Sequence, residues 1–409
     1  MMARAENALE RRALLIGGIC AGAASLLPRD SDNPPPRLKT HGKVGDIGGA
    51  TVPATVINLA DFGGVPEAAP VMLANAFSHA FAILKKHGGG TLVVPAGAYY
   101  FGAHSESTYI ILCHDLRNVA ISAYGATFMA TTLAKVVPNM FYFFNFQNIT
   151  IAGASFVDFG FSPWVNWRGM YCVGIQADKK SRGLRMVDCY AEQVVGLLGS
   201  NNNAVGRFLL SDISVQGEVR NSYYGVGANF IETKVSVNLV CHNVRRAFIA
   251  SSLNCARILI KASNSADWPG SNGLVSLATA GTSSGDVEKV HVRVDVTGDC
   301  IHGAYVHFYH LGPEVRGYIR DIDATVNVIS PNSKGNLFLF DHEIDGVQSK
   351  TARTWDRITL HGQVAENFKG RVVLNTSVMT LPGTVYIDRN LFKAGRSQIL
   401  PAGFRVSRN

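Results

Sequence analysis

Apolar and polar residues alternate in short phrases along most of the chain, which is typical of β-strands with one buried face. One clear case is Val235, Val237 and Leu239, each separated from the next by a polar residue. Such phrases run from about residue 110 to about residue 380 and are divided by Asn, Gly or Asp, residues that favour turns. The pattern predicts short strands joined by tight corners.

The strand phrases recur at a spacing that predicts a solenoid. Aligning Val187, Ile213, Leu239 and Ile260 gives steps of 26, 26 and 21 residues, the length of one coil made of three short strands. A single coil cannot bury its own inner face, so neighbouring coils must stack to form a core.

Residues 59–101 form a different unit. A short strand ending at 61–63 is followed by a predicted helix, because apolar residues recur along one helical face. They are Leu73, Ala76, Phe77, Ala80, Phe81 and Leu84. Three glycines at 88–90 end this helix, and residues 91–94 begin a strand that turns at Pro95.

This order of strand, helix, glycine triplet and strand resembles the first segment of the pectate-lyase-like superfamily, in particular its pectate lyase 3 and polygalacturonase-like members. The resemblance implies an all-β fold: a right-handed parallel β-helix whose amino-terminal end is covered by an α-helix. It also implies binding or cleavage of a polysaccharide.

Composition and charge agree with such a fold. Of 409 residues, 47% are hydrophobic and only 17% are charged, with 41 glycines, which suits stacked strands and tight corners. The formal net charge of +8 indicates a mild preference for acidic ligands. No nucleic-acid recognition motif is present, so no nucleic-acid partner is predicted.

The amino terminus has the organisation of an export signal. Arg11 and Arg12 precede an uncharged run at 13–27, and adjacent arginines favour the twin-arginine route. The run is short for a membrane span. We therefore expect a periplasmic or extracellular protein without membrane association once the signal is removed. The expected segments are an export signal at 1–27, a linker at 28–55, a β-helix domain at 56–385 and a tail or cap at 386–409.

The candidate catalytic residues follow the predicted corners. Polygalacturonase-type members of the superfamily carry paired aspartates at one such turn, where this chain has Arg245 and Arg246, and a second similar turn retains only Asp299. Arginines suit β-elimination on a uronic acid, because they bind the carboxylate while a base and an acid move protons. The predicted catalytic residues are Glu192, Tyr224, Arg245, Arg246, Asp299 and His302.

Aromatic and polar residues near these corners are the candidate substrate-binding groups. Two tryptophans and an arginine lie in one loop, and aromatic faces stack on sugar rings. A later strand, 302–310, carries three histidines and two tyrosines. The predicted substrate-binding residues are Trp164, Trp167, Arg168, Asn221, Tyr223, Tyr305 and His307. Each has a plainer explanation as a loop anchor, a solvated turn residue or a buried polar group.

Two other functions fit the same sequence. Glycoside hydrolysis, or a fructotransferase-like intramolecular transfer, would use two carboxylates, with the candidates Glu192, Glu218, Glu232 and Asp299. A non-catalytic, polysaccharide-binding or spike-like β-helix is the third hypothesis, and a homotrimer is one candidate assembly.

No cofactor and no metal-ligating residues are predicted. The seven cysteines form no CxxC pair, and Cys189 and Cys241 are interpreted as small buried residues. The alternating acids Asp341, Glu343 and Asp345 are a weak candidate for Ca²⁺.

Overall fold

The computed structural model describes residues 55–106, 109–165, 168–200, 209–228, 231–265, 268, 270–271, 273–280, 285–298, 303–311, 317–330, 332–343, 355–375, 384–392, 400 and 404–407. The predicted export signal and nearly all of the predicted linker lie outside these residues. No helix in the described ranges is long and apolar enough to cross a membrane.

The described residues contain one α-helix, α1 (Pro70–Lys86), two 3₁₀ turns (Leu59–Phe62 and Arg389–Phe392) and many strands. The strands are β1 (Val56–Asn58), β2 (Gly90–Val93), β3 (Gly97–His104), β4 (Tyr109–Ser122), β5 (Ala126–Thr132), β6 (Asn139–Ala152), β7 (Ser155–Asp158), β8 (Tyr171–Gln176), β9 (Ser181–Glu192), β10 (Gly196–Ser200), β11 (Leu210–Gly227), β12 (Ile231–Ser251), β13 (Leu253–Ser263), β14 (Val275–Ala280), β15 (Val287–Val296), β16 (Ala304–Leu311), β17 (Ile319–Val328), β18 (Asn336–Glu343), β19 (Trp355–Val364), β20 (Val373–Asn375), β21 (Val385–Ile387) and β22 (Phe404–Val406).

Each strand pairs in parallel with the equivalent strand of the next coil. One column of partners runs through Val226, Phe248, Val275, Val306 and Phe338, all fully buried. Parallel pairing between successive coils, with apolar residues stacked inside, defines a parallel β-helix. The predicted fold is therefore confirmed, and Cys189 and Cys241 are buried as interpreted.

The coil has three outer faces. The first face contains β8, β10, β14, β16 and β18, together with the last residues of β11 and β12. The second face includes 184–187, 213–216, 235–238 and 256–259. The third face follows it in each coil and includes 189–192, 217–220, 239–242 and 260–263. Long strands such as β11 and β12 pass from one face to another by bending.

The predicted repeat was correct for one step and wrong for two. Leu239 pairs with Ile260 as predicted, but Ile213 pairs with Leu184 and Val235 rather than with Val187 and Leu239. Inward residues alternate with period two, so a slip of four residues keeps the same face and leaves the apolar pattern unchanged. The other slip is one of three residues, from Leu184 to the half-buried Val187, which lies directly before a bend at Asp188, where φ is 51°.

The bends rest on residues in the left-handed backbone conformation, one set of which recurs once per coil. This corner ladder begins with Asn118, Asn148 and Gly183, whose φ angles are 52°, 52° and 76°. Asn148 Nδ2 donates a hydrogen bond to Asn118 Oδ1 over 2.8 Å. Asparagine and glycine tolerate this conformation best, which explains the asparagines that divide the strand phrases.

Helix α1 covers the amino-terminal end of the core, as predicted. Its six periodic apolar residues are all buried, and Gly88 follows the helix with φ of 75°. The ring of Phe77 lies at the centre of an aromatic cluster, with centroid distances of 5.5–6.1 Å to four other rings. These are Phe81, Phe101, Phe128 and Phe141.

Truncating Phe77 tests whether this helix stabilises the first coils. Phe77→Ala is expected to lower the free energy of unfolding by about 3–5 kcal/mol, because a fully buried ring leaves a cavity. Met72→Ala is the matched control on the same helix, where Met72 is 53% exposed, and its effect is expected within about 0.5 kcal/mol. Urea titration measures both; equal losses would contradict a capping role.

Candidate functional site

Two corners bring the predicted arginines and tyrosines together. Asn221 and Asn243 adopt the left-handed conformation, with φ of 46° and 53°, and Asn243 Nδ2 donates to Asn221 Oδ1 over 3.0 Å. The next residues therefore leave the two corners in register, and Tyr224 and Arg246 are paired positions of β11 and β12. We call Tyr223, Tyr224, Arg245 and Arg246 the tyrosine–arginine site.

Each arginine of the tyrosine–arginine site lies over a tyrosine ring. The Cζ atom of Arg245 is 4.6 Å from the ring centroid of Tyr223, and that of Arg246 is 5.9 Å from the centroid of Tyr224. The two tyrosine rings meet edge to face with centroids 4.6 Å apart. Such cation–π contacts hold a guanidinium in place without neutralising its charge.

Three more side chains extend the site along the first face. The rings of His307 and Tyr309 are stacked with centroids 4.6 Å apart, and His307 Nε2 lies 3.7 Å from Asp341 Oδ2 on the next coil. A Cβ atom at Gly273 would collide with His307, so this glycine leaves room for the imidazole. Tyr309 is close enough to affect the pKa of Tyr224.

Burial sets the protonation states of this group. Burial raises the pKa of the Tyr224 hydroxyl, with a smaller opposing effect of Arg246. Burial lowers the pKa of His307, while Asp341 opposes that change and Arg246 adds to it. At neutral pH the site therefore combines a neutral phenol that donates a proton, a neutral imidazole that accepts one, and two fixed cations.

Carboxylates gather on the third face, just before the same corners. We call Tyr190, Glu192, Glu218, Arg220 and His242 the glutamate cluster. In the register of β9 and β11, Glu192 pairs with Arg220 and Tyr190 with Glu218. The two glutamates are thus diagonal neighbours on adjacent parallel strands, offset by one strand and two residues.

Hydrogen bonds hold both glutamates as acceptors. Glu192 accepts from Tyr190 Oη over 2.6 Å and from Asn221 Nδ2 over 3.1 Å. Glu218 accepts a hydrogen bond from Arg220 Nε, and His242 Nε2 lies 4.0 Å from its Oε1. Burial and the bond to Glu192 raise the pKa of Tyr190.

The structure places the remaining predicted site residues as follows. Trp164 is 72% exposed, and Arg168 is half-buried, with an Nε atom that makes no hydrogen bond to any described residue. Trp167, Asp299 and His302 lie outside the described residues. Tyr305, a predicted substrate-binding residue, is fully buried and presents no surface to a substrate in this structure. It occupies a position that is also filled by buried Ala247 and Leu274 in preceding coils.

The sequence reasoning missed one aromatic residue of the first face, Tyr171. Its ring packs over Gly196 and Gly199 on the next coil, where any Cβ atom would lie within 3.0 Å of it. Arg246, Tyr223 and Tyr224 all influence the pKa of Tyr171, which burial raises. The two glycines one coil later were the available signal.

The weak calcium candidate, Asp341, Glu343 and Asp345, lies only partly within the described residues. Within the described part of the chain no three His, Cys, Asp or Glu side chains gather as a metal site would require. Asp345 lies outside it, and Asp341 contacts His307 instead.

The contact between His307 and Asp341 predicts a measurable titration. NMR titration should give His307 a pKa below the ordinary value of about 6.5, and Asp341→Asn should lower it further, because the carboxylate stabilises the imidazolium. The control is Asp323→Asn, which removes a carboxylate beside His291 on another face and should leave the pKa of His307 unchanged. A rise of the pKa in Asp341→Asn would contradict the geometry. Because the folded-state pKa is depressed, this group's contribution to stability should decline as pH falls below about 6.5.

Comparison with known proteins gives only distant likenesses. No family model and no curated protein matches the chain. Among solved structures, a hyperthermoactive exopolygalacturonase from Thermotoga maritima is similar at 12% identity, over 82% of this chain and 88% of that one, with a TM-score of 0.37. The tailspike protein of E. coli bacteriophage HK620, in complex with a pentasaccharide, is similar at 11% identity, over 86% and 78% of the two chains, with a TM-score of 0.34. By its own strand pairing, this chain is a parallel β-helix protein.

Proposed function

We propose that the protein is an exported carbohydrate-active enzyme that cleaves an acidic polysaccharide by β-elimination at the tyrosine–arginine site. One observation carries the proposal. The Nε atom of Arg246 is buried and has no hydrogen-bond partner among the described residues. The guanidinium lies over the Tyr224 ring and makes no ion pair with any described carboxylate, so its charge is left for a substrate carboxylate, the partner that a guanidinium binds best.

The proposed reaction begins with the uronate carboxylate bound by Arg246. The positive charge stabilises the negative charge that develops when the neighbouring C5–H bond is broken. A histidine accepts that proton, a C4=C5 double bond forms, and the C4–O bond breaks. Tyr224, which burial keeps neutral, donates a proton to the leaving oxygen.

Two histidines are candidates for the base. His307 is 4% exposed, and neither ring nitrogen has a hydrogen-bond partner among the described residues. Burial keeps it neutral, and Asp341 stabilises the imidazolium formed after proton transfer. His302, outside the described residues, is the other candidate. Separate His307→Gln and His302→Gln variants assign the role, because the base variant loses turnover at every pH.

Sugar binding beyond the reacting unit involves exposed aromatic surface. Trp164 lies between β7 and β8 and presents most of its indole to solvent, and an aromatic face stacks on the apolar face of a sugar ring. We also propose export by the twin-arginine route, which rests on Arg11, Arg12 and the uncharged run that follows them.

Hydrolysis at the glutamate cluster is the second candidate. The observation in its favour is the diagonal pair Glu192 and Glu218 on adjacent strands, because inverting glycosidases use two carboxyl groups roughly 6.5–9.5 Å apart. Such an enzyme needs one protonated carboxyl group as acid. Here both carboxyl groups already accept hydrogen bonds from tyrosine, asparagine or arginine side chains, so their oxygens are occupied by neighbours within the protein. Elimination is therefore the stronger proposal.

Replacing Arg246 tests the elimination reaction. On polygalacturonate, alginate and other uronic-acid polymers, the wild-type protein should form an unsaturated product that absorbs near about 235 nm, the absorbance of the C4=C5 bond formed by elimination. Arg246→Lys keeps the charge but loses the bidentate fork, so turnover should fall at least about 100-fold. Arg389→Lys is the control, at an exposed position near the carboxy-terminal end of the β-helix, and its turnover should equal that of the wild type.

The glutamate cluster provides the opposing test. If the enzyme is a hydrolase, reducing ends appear without absorbance near about 235 nm, and Glu192→Gln and Glu218→Gln abolish them. If elimination is correct, the same variants keep at least about a tenth of wild-type turnover, because they lie outside the reacting group. No product of either kind from any polymer would favour the non-catalytic, polysaccharide-binding alternative.

A further inference from the structure

A groove on the second face of the coil is separate from both candidate sites. Its volume is about 730 Å³, and its floor contains Ser214 and Ser236. In the strand register these serines lie between Arg185 and Arg257. Three strand spacings separate the two arginines, about 14 Å. The groove therefore has a row of two serines at its centre and an arginine at each end of that row.

Positive charge dominates the lining of this groove. Arg185, Lys234, Arg257 and Lys289 contribute four cations, against the single carboxylate of Asp212. Lys234 lies 3.5 Å from Asp212 and Lys289 lies 3.7 Å from Glu288. The two lysine side chains are 71% and 59% exposed, so these surface pairs leave both lysines largely available. The backbone of Arg257 is paired in the sheet, but its side chain makes no hydrogen bond or ion pair with any residue in the described ranges.

The backbone adds an independent observation. Lys234 and Lys289 occupy the corner ladder, with φ angles of 60° and 55°, at the positions that Asn118 and Asn148 fill in earlier coils. Lysine is disfavoured in this conformation relative to asparagine or glycine. Residues held in an unfavourable backbone conformation concentrate at functional sites. Both lysines take this local cost at the border of the groove, as Cys255 does beside them and Arg357 does farther along the corner ladder.

We propose that this groove binds a segment of acidic polysaccharide, apart from the face that carries the tyrosine–arginine site. Cations border it for carboxylate or sulfate groups, and serine hydroxyls face the sugar hydroxyls. Among its described lining residues there is no Phe, Tyr or Trp on which bases would stack, so the lining favours a polysaccharide over single-stranded nucleic acid. The acidic class follows from the charge of the groove and does not rest on the proposed reaction.

A pair of asparagine substitutions separates binding from folding. Lys234→Asn/Lys289→Asn removes two charges and places a favoured residue at each corner, so the melting temperature should stay the same or rise. Lys135→Asn/Lys369→Asn removes the same charge from exposed loops outside the groove. Affinity for polygalacturonate and alginate at about 0.15 M salt should fall about tenfold or more in the groove variant and remain near wild type in the control.

A local readout comes from Cys255, which lines the groove and is the exposed thiol among the described cysteines. Peptide mapping can follow the modification of Cys255 by a maleimide. Bound polygalacturonate should slow this modification, whereas neutral dextran should leave its rate unchanged. Turnover of an acidic trisaccharide, which reports on the proposed reaction, should be unchanged in the groove variant.

Three results would overturn the proposal. They are an equal loss of affinity in both lysine variants, absence of acidic-polymer binding by the wild-type protein, and stronger binding of DNA than of either polymer. A failure of turnover with retained, groove-dependent binding would instead count only against the proposed reaction.

Discussion

Parallel hydrogen bonding between successive coils is the constraint on which the rest of this structure depends. The backbone N–H and C=O groups of each strand form hydrogen bonds with the coils on either side. Residues at equivalent positions therefore stack in columns, in which successive residues are about 4.8 Å apart. Inside, this stacking requires apolar residues in every coil. On the outer surface, the same stacking brings side chains from successive coils into contact. Tyr224 and Arg246 meet in this way although they lie in different coils.

The sequence predicted the fold because its two strongest signals are local. Period-two alternation identifies strands, and the helix followed by three glycines identifies the covered end. Register was harder to predict. Every second residue of a strand faces inward, so several apolar residues of one strand fit the same inward column equally well. A bend such as that at Asp188 changes which alternate residues face inward, and the apolar pattern does not mark it. For the same reason Tyr305 was assigned to the surface, although it belongs to a buried column.

The grouping of residues within the candidate site was predicted where sequence neighbours share a corner. Tyr223 with Tyr224, and Arg245 with Arg246, are adjacent in the chain and follow an asparagine bend, so they were identified together. The contact of His307 with Asp341 depends on which coil lies beside which. That information is set by loop lengths that the apolar pattern does not encode.

Coil length also shapes the outside of the molecule. Between Ile213 and Val235, and between Val235 and Ala256, one circuit takes 22 and 21 residues, whereas the circuits starting at Ala256, Val290 and Ile322 take 34, 32 and 36. The short circuits spend nearly all their residues on strands and corners, and they carry both the tyrosine–arginine pairs and much of the basic groove. Residues inserted at those corners would build a wall beside either surface and narrow access to it, while every inward column stayed intact.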